Sequence, residues 1–202
     1  MFRLNGKKVY LRDFRESDIA ARIRWETEET EWQLWDGPWE YEGLTQEQKD
    51  EGLRSYVASM HKWVEKFRDM PDDQPRTVFQ ICTMDDEYIG WVGSYRIDED
   101  FSFDDGGRLL AVGIDIPVVT ARGRGCASEA LCLAIDYLRA QGEPEIYTQT
   151  WSGNLRMIGL AQKLGFEECC RKPGIRTVRG EEYDGLTFRL NPEKYRVIRG
   201  SI

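Results

Sequence analysis

The feature that most constrains the fold is a short loop, rich in glycine and arginine, between a predicted strand and a predicted helix. The loop reads Arg122-Gly123-Arg124-Gly125-Cys126-Ala127. Residues 109–116 before it form a short apolar run typical of a strand, and residues 125–140 after it repeat apolar side chains at helical spacing. On that helix, Glu129 is predicted to lie on the polar face.

This arrangement predicts a binding site for a polyphosphate. Glycine lets the backbone approach a phosphate because it carries no Cβ. The first N–H groups of a helix have no partner within it, and the helix dipole adds about half a positive charge there. Arg122 and Arg124 add full charges nearby. A structural turn without a ligand is the alternative interpretation.

Two other glycine loops that bind phosphates do not fit the sequence. A P-loop requires Lys and then Ser or Thr after its last glycine, where this chain has Cys126 and Ala127. A dinucleotide-binding fold places its glycines after the first strand, whereas these lie past the middle of the chain. A nucleotide-binding protein is therefore disfavoured.

The remaining periodicity predicts an α+β fold in one domain that spans residues 1–202. Alternating or apolar runs predict seven strands, at residues 8–14, 77–83, 88–97, 109–116, 145–151, 166–178 and 183–190. Four helices are predicted, one after Ser17 and Asp18, one from Thr45, and two at residues 125–140 and 154–164. No internal repeat interrupts this order.

Composition excludes several classes of protein. The net charge of −8 repels nucleic-acid phosphates and favours a cationic substrate. The sequence has no apolar run of about eighteen residues and no signal peptide at its start, so we expect no membrane partner and a cytoplasmic location. With one His and five cysteines that lack metal-ligand spacing, we expect no metal and reduced thiols.

Acidic and aromatic residues alternate between residues 25 and 42. The acidic residues are Glu26, Glu28, Glu29, Glu31, Asp36, Glu40 and Glu42, and the aromatic ones are Trp25, Trp32, Trp35, Trp39 and Tyr41. One interpretation is a solvated helix face that leads into a loop anchored by aromatic rings. The other is one wall of a pocket for an amine, in which Glu28, Glu29 and Asp36 bind the amine and Trp35 lines the pocket.

The loop and a second segment together resemble the GNAT acetyltransferase superfamily. Its acetyl-CoA motif is Gln or Arg, two residues, Gly, one residue, and Gly or Ala, and Arg122, Gly125 and Ala127 match it. About thirty residues further on, residues 151–156 and the run Lys163-Leu164-Gly165-Phe166 resemble the segment that borders the CoA arm. The chain is most similar to the branch with the ribosomal-protein alanine acetyltransferases. The resemblance implies a central, mixed, mostly antiparallel seven-stranded sheet flanked by about four helices.

The resemblance also implies roles for individual residues. Acetyl-CoA would be the cosubstrate, and the acceptor would be a primary amine of a small molecule or of a protein N-terminus, which attacks the thioester directly. The backbone of Ile114 and Ile116 would bind the pantetheine arm. The N–H groups of Gly123, Arg124, Gly125, Cys126 and Ala127 would hold the pyrophosphate, with charge from Arg122 and Arg124. Asn154 would contact the CoA arm, or would cap its own helix instead.

The sequence departs from the superfamily at the position of the acid. Many members have a Tyr where this chain has Ala161, and others have a Ser where it has Met157. Asp115 is the candidate general base, although strand alternation also permits a structural role. Tyr147 and Trp151 are candidate residues of the substrate pocket. These departures leave a catalytically idle acyl-CoA-binding or sensor module as the second hypothesis, and a homodimer is compatible with either.

Overall fold

The computed structural model of the protein describes residues 2–200. Its strands are β1 (Arg3–Asn5), β2 (Val9–Arg12), β3 (Val78–Thr83), β4 (Tyr88–Ile97), β5 (Leu109–Asp115), β6 (Ile146–Trp151), β7 (Phe166–Val178) and β8 (Glu181–Leu190). Its α-helices are α1 (Ile19–Thr27), α2 (Gln46–Arg68), α3 (Cys126–Ala140), α4 (Leu155–Lys163) and α5 (Pro192–Arg199). Short 3₁₀ helices cover Glu16–Asp18, Thr30–Leu34, Pro38–Glu40 and Val119–Ala121.

The strands form a single sheet in the order β1-β2-β3-β4-β5-β6-β8-β7. The neighbours β5 and β6 are parallel, and all other neighbouring strands are antiparallel. The predicted α+β fold with a mixed, mostly antiparallel sheet is confirmed. The sheet has eight strands instead of seven, because Arg3–Asn5 adds a short edge strand, and α5 adds a helix.

Helix α3 lies against the sheet and forms much of the core. Ala130, Leu131, Ala134 and Ile135 on its apolar face are fully buried against strand residues that include Leu11, Phe79 and Val112. The prediction that Glu129 lies on the polar face is wrong, since this side chain is only 4% exposed. Its carboxylate accepts hydrogen bonds from the backbone N–H groups of Lys7, Lys8 and Val9, at 2.7 to 2.9 Å.

The parallel strands β5 and β6 separate soon after they meet. They pair at two positions, Leu110 with Ile146 and Ala111 with Tyr147. Just beyond these pairs, the Thr148 hydroxyl donates to the carbonyl of Val112 at 2.7 Å. From Gly113 onward, β5 diverges from β6 and leaves a gap in the middle of the sheet that opens toward the glycine-rich loop.

Candidate active site

The glycine-rich loop has the backbone conformation of an anion cradle. Gly123 and Gly125 have φ angles of +73° and +87°, in the left-handed region that favours glycine. Gly125 is the N-cap of α3, and no side chain caps that end of the helix. The first N–H groups of α3 are therefore presented together with the positive end of the helix dipole, an arrangement suited to a phosphate group.

The loop borders a cavity of about 580 Å³, which we call the glycine-loop cleft. The cleft fills the gap between β5 and β6, and its far wall is α4. It brings together most of the residues that were predicted to bind CoA or substrate, namely Trp35, Ile114, Asp115, Ile116, Arg122, Gly123, Gly125, Ala127 and Asn154. Their contribution to binding stays a prediction.

Arg124 and Cys126 lie beside the cleft and do not line it. The Arg124 side chain is exposed, and its carbonyl accepts a hydrogen bond from the Lys8 ammonium at 3.0 Å. Cys126 is buried in the core under α3, so its thiol points away from the ligand side of the loop. Any part that these two residues play in the cradle would come from their backbone N–H groups.

Arg122 is not a free cation at the mouth of the cleft. Its Nε donates to the carbonyl of Ile116 at 2.7 Å, and one of its terminal nitrogens donates to the carbonyl of Pro117 at 3.3 Å. The other terminal nitrogen forms an ion pair with Glu31, a residue far away in the sequence. The carbonyl of Ile116, predicted to face the pantetheine arm, is thus already bonded to Arg122.

Residues 30–36, which we call the strap, connect the two sides of the cleft. Besides its pair with Arg122, Glu31 accepts hydrogen bonds from Arg156 and from the Trp35 indole, each at 2.9 Å. The Arg156 guanidinium also lies 4.0 Å above the Trp35 ring. Partial burial raises the pKa of Glu31, but the bonds from Arg122, Trp35 and Arg156 outweigh it and lower that pKa to about 2.

The backbone of the strap is held from the second motif. The carbonyl of Trp35 accepts hydrogen bonds from the Trp151 indole at 2.7 Å and from the Asn154 amide at 2.9 Å. The other end of the Asn154 side chain accepts a hydrogen bond from Met157 N at 3.0 Å and caps α4. The capping role considered for Asn154 is confirmed, and the same side chain lines the cleft.

Of the predicted pocket residues, Tyr147 lies apart. Its ring packs in a separate cluster with Ile97, Phe101 and Ala111, and its hydroxyl donates to Glu145 at 2.8 Å. Trp151 is 6% exposed, and its ring packs edge-on against Tyr183 beneath the strap. Neither side chain belongs to the lining of the cleft, so the structure does not bring them to the site as pocket walls.

A second cavity, of about 910 Å³, opens on the other side of the strap, and we call it the acidic cavity. Its walls carry the carboxyl groups of Glu26, Asp36, Glu40, Asp50 and Asp115 and the aromatic rings of Phe14, Trp32, Tyr41, Tyr56, Trp63, Phe67 and Trp91. Of the three residues predicted to bind the amine, Asp36 lines this cavity, and its contribution to amine binding stays a prediction. Glu28 and Glu29 lie outside this lining, and Glu29 pairs with Arg24 at 2.8 Å.

A buried arginine forms part of the wall of the acidic cavity. Arg22 is 4% exposed and stacks 3.4 Å from the Trp91 ring. Its nitrogens donate to three neutral oxygens, at 2.7 Å to the Tyr88 hydroxyl, 3.1 Å to the Tyr56 hydroxyl and 3.1 Å to the Gln80 amide. Arg22 therefore directs these hydrogen bonds to neutral partners and not to the carboxyl groups of the cavity wall.

The two cavities share Trp32, Asp36 and Asp115. Burial, with the nearby charge of Glu40, raises the pKa of Asp36 to about 6. Burial also raises the pKa of Asp115 well above its ordinary value, as do the charges of Asp36 and Glu26, against the opposing effect of Arg22 and Arg122. The junction between the cavities therefore contains two carboxyl groups that hold protons more tightly than usual.

The sequence analysis gave no individual role to three residues of the site. Arg22, Glu31 and Arg156 form the charged framework around the two cavities. Arg156 stands two residues after Asn154 in the second motif, and that proximity was the available signal. The pairing of Glu31 with Arg122 left no signal in the sequence, because the two side chains meet only through tertiary folding.

Within residues 2–200, no group of three or more His, Cys, Asp or Glu side chains is arranged to hold a metal ion. Across the same residues, no helix combines the length and the apolar character needed to cross a bilayer.

Comparison with solved structures shows the fold. An acetyltransferase of the GNAT family from Bacillus anthracis is 12% identical and has a TM-score of 0.66, with 95% of this chain and 99% of that chain covered. RimL, a ribosomal α-N-protein acetyltransferase in complex with coenzyme A, is 13% identical, with a TM-score of 0.62 and coverage of 91% and 94%. A chimera of the Vibrio cholerae spermidine N-acetyltransferase SpeG is 18% identical, with a TM-score of 0.61 and coverage of 94% and 99%.

Comparison of sequences shows the family. A search of curated proteins finds no match. The sequence model of the acetyltransferase (GNAT) domain matches residues 8–167, which include the glycine-rich loop, the strap and the second motif. This match covers most of the 202 residues, so the chain belongs to the GNAT acetyltransferase family.

Proposed function

We propose that the protein transfers an acetyl group from acetyl-CoA to a primary amine, by direct attack of the amine on the thioester. The observation that carries the proposal is the junction of the two cavities at Trp32, Asp36 and Asp115. An acyl donor in the glycine-loop cleft and an acceptor in the acidic cavity would meet there. Bringing the two reactants together in this way accounts for a large part of the rate of such reactions.

The residues of the glycine-loop cleft fit a CoA thioester. The left-handed glycines and the uncapped N-terminus of α3 suit its pyrophosphate, and the gap beside Gly113 and Ile114 offers the free edge of β5 to its pantetheine arm. When bound, acetyl-CoA supplies the acyl group and the thiol that leaves. Ala127 and Asn154 would border the same arm from the loop and from α4.

The acidic cavity fits an amine. Carboxyl groups attract an ammonium group, and aromatic faces bind cations and apolar carbon chains. Among the structures similar to this chain, one acts on a ribosomal protein and another on spermidine, so the fold serves both small and macromolecular amines. We propose a small-molecule amine or a protein N-terminus as the acceptor, and Asp115 as a residue that takes part in the proton transfers of the reaction.

The second hypothesis is a catalytically idle module that binds or senses acyl-CoA. It is favoured by Met157, which lines the cleft, and by Ala161, which is buried, at the two positions where we expect an acid in this family. Neither side chain can give a proton to the leaving thiolate. A CoA thiolate has a pKa of about 8.5, like that of a free Cys, and can leave without an acid at a lower rate.

Calorimetry and thiol release test the proposal in sequence. Isothermal titration with acetyl-CoA should give a dissociation constant in the micromolar range, and titrations with ATP and NAD serve as controls for a nucleotide-binding protein. Release of thiol from acetyl-CoA is then measured with a panel of monoamines, diamines and peptides with free N-termini. Binding with release supports the enzyme, binding with a silent panel supports the idle module, and no binding contradicts both.

We also propose a cytoplasmic location, and the sheet edges are compatible with a homodimer. All five cysteines are free thiols in the structure, which suits a reducing compartment. The outer strands β1 and β7 each have one unpaired edge, where a second copy could add to the sheet. Light scattering of the purified protein would give the oligomeric state directly.

A further inference from the structure

The reaction proposed above requires two proton transfers. The attacking amine must lose a proton, and the leaving sulfur must gain one. Asp36 and Asp115 are the two titratable side chains in the lining shared by both cavities. Within residues 2–200, neither carboxyl group forms a hydrogen bond or an ion pair with the protein, so both are available to substrates.

Asp115 is held in place by its strand. It is the last residue of β5 and lies opposite Trp91 on β4. The neighbouring Gly90 lets the two strands approach closely, since a Cβ at that position would lie 2.0 Å from the carbonyl oxygen of Asp115. The carboxyl group thus projects from a fixed backbone at the point where β5 ends between the two cavities.

Asp36 is held in place by the strap. Its backbone N–H donates to the carbonyl of Trp32 at 3.1 Å, and the preceding residue, Trp35, is bonded to Trp151 and Asn154. The Trp32 ring packs edge-on against Trp91 at 5.3 Å, and its indole donates to the carbonyl of Trp25 at 2.9 Å. The strap and β5 therefore present one carboxyl group each from opposite sides of the same opening.

Charges of both signs face the pair. Glu40 acts on Asp36, while Glu26 and Asp36 act on Asp115. Arg22 and Arg122 oppose them at Asp115, and Tyr41 and Tyr56 add neutral hydroxyls. Lys49 and Lys66 from α2 also line the acidic cavity, and Arg156 and Lys163 from α4 also line the glycine-loop cleft. Two buried carboxyl groups that share one opening cannot both ionise easily, so they titrate as a pair.

We propose that Asp36 and Asp115 are the base and the acid of acyl transfer in this protein. The proposal rests on the function proposed above. The bound ammonium group first loses one proton to solvent. The neutral amine nitrogen then forms a bond to the carbonyl carbon and gives a further proton to the ionised carboxylate of Asp36. The carbon–sulfur bond breaks, and the sulfur takes the proton of the Asp115 carboxyl group. Passage of the proton from Asp36 to Asp115 then restores the pair.

This assignment makes Asp115 the acid, in place of the general base predicted from the sequence, and supplies the acid that positions 157 and 161 lack. Asp115 ends β5, the strand whose free edge is offered to the pantetheine arm, so it is the carboxyl group placed to protonate the sulfur, and burial raises its pKa. Asp36, on the strap, is the group placed to accept the proton of the amine. A protonated Asp115 does the work that a Tyr at position 161 or a Ser at position 157 would do. Met157 and Ala161 are then compatible with full activity.

The test compares Asp36→Asn and Asp115→Asn with the wild type across pH, with an amine that the wild type acetylates. We expect kcat to fall at least about 100-fold in each variant, because general acid or base catalysis contributes at least that much. The wild-type profile of kcat should be bell-shaped. Asp36→Asn should lose the rise near pH 6, and Asp115→Asn should lose the fall at higher pH.

Three further variants separate proton transfer from other effects. Asp105→Asn, in the exposed loop between β4 and β5, is the matched control and should leave kcat unchanged. Glu40 lines the acidic cavity and not the glycine-loop cleft. Glu40→Gln should therefore raise KM for the amine much more than it lowers kcat. Asp115→Glu should restore the limb that Asp115→Asn removes, and circular dichroism with acetyl-CoA titration confirms that each variant folds and binds.

The possible results distinguish a failure of the proposed function from a failure of the carboxyl pair. A wild type that binds acetyl-CoA and acetylates no amine overturns both the proposed function and the pair. An active wild type in which either Asn variant keeps kcat within about tenfold, or keeps both limbs of the profile, overturns the pair and leaves the function intact. The pair is supported if Asp36→Asn loses the rise near pH 6, Asp115→Asn loses the fall at higher pH, and both variants retain their affinity for acetyl-CoA.

Discussion

At the scale of single residues, the carboxylate of Glu129 joins two parts of the chain that are far apart in sequence. It leaves the first turn of α3 and accepts backbone hydrogen bonds from Lys7, Lys8 and Val9 at the start of β2. Burial raises its pKa, but the three backbone bonds outweigh burial, so the pKa lies below its ordinary 4.5. The same contact fixes β2 next to the glycine-rich loop, because Lys8 also bonds to Arg124.

We expect Glu129→Gln to lower the free energy of unfolding by about 2 kcal/mol, since a neutral amide accepts fewer and weaker bonds. Urea unfolding at neutral pH measures the loss, with Glu65→Gln on the exposed face of α2 as the control. Because the folded pKa is depressed, the stabilisation is complete above pH 4.5 and is lost as pH falls through the folded pKa. The gap between wild type and variant should narrow on acidification, and a gap independent of pH would contradict this account.

Gly123 offers a test of the cradle with a matched control. Gly123 and Gly180 both have positive φ, +73° and +83°, and a Cβ at either position would meet nothing within 4 Å. Replacement of either glycine by Ala should lower the free energy of unfolding by about 1 kcal/mol through backbone strain. Only Gly123→Ala should weaken acetyl-CoA binding, by about tenfold or more, because it alters the backbone that faces the phosphates.

Isothermal titration and thermal unfolding of the two Ala variants provide the comparison. Gly180 lies at the tip of the turn between β7 and β8, away from the cleft. The affinity of Gly180→Ala for acetyl-CoA should therefore equal that of the wild type. Equal affinities in both variants would mean that the phosphates are bound elsewhere.

Single residues also show the limit of sequence reasoning. The charge of Arg122 was evident, but its partner Glu31 was not, because an ion pair between distant residues depends on the fold. Tyr147 was placed in the pocket because it lies on β6, yet it faces Phe101 and not the cleft. Which face of a central strand lines a site depends on register and on the neighbouring strands, and the alternation of residues alone does not fix it.

At the scale of elements, the strap ties the acyl-donor side of the site to the acceptor side. Glu31 in the strap neutralises Arg122 and Arg156, the two guanidinium groups that line the glycine-loop cleft. Asp36, at the end of the same segment, lines both cavities. A phosphate that draws the two arginines away from Glu31 would therefore act on the segment that carries Asp36.

We expect Glu31→Gln to tighten acetyl-CoA binding about fivefold, because it removes a carboxylate that competes with the phosphates for Arg122 and Arg156. Titration calorimetry measures the change. Glu29→Gln, which breaks the exposed pair with Arg24 outside the cleft, is the control and should have no effect. Weaker binding in Glu31→Gln would show that the strap supports the cleft more than its charge obstructs it.

The elements that were predicted correctly are those with strong local signals. The segment from β5 through the loop to α3 combines an apolar run, a helical period and positions that favour glycine, and Thr45 caps α2 as its sequence suggests. Strand β1 and helix α5 were missed. Arg3–Asn5 is too short to show alternation, and α5 has one buried side chain, Tyr195, and so little of an apolar stripe.

At the scale of the whole molecule, the net charge of −8 and the acidic cavity act in the same direction on a cationic acceptor. The family membership and the mixed, mostly antiparallel character of the sheet were predictable, because two motifs and the order of elements along the chain agree. That residues 1–202 form one domain stays a prediction. The identity of the amine depends on the shape of the acidic cavity, whose walls include α1, the strap, α2, β3 and β4.

We expect the KM for a diamine to rise by about tenfold when ionic strength increases from about 0.02 M to about 0.2 M, since salt screens the attraction between the cation and the carboxylates. A monoamine of the same length should respond less, because it carries one charge fewer. Steady-state kinetics at saturating acetyl-CoA measures both. A KM for the diamine that is unchanged or falls with salt would contradict the electrostatic account.

The sheet also has a mechanical weak point. The strands β5 and β6 are joined by two residue pairs and the bond from Thr148 to Val112, so this seam divides the sheet into a part with β1 to β5 and a part with β6 to β8. Load applied across the molecule would concentrate at that seam. A ligand bound in the gap would contact both parts of the sheet. We therefore expect the ligand-bound protein to resist a shearing force better than the ligand-free protein, which would separate first between β5 and β6.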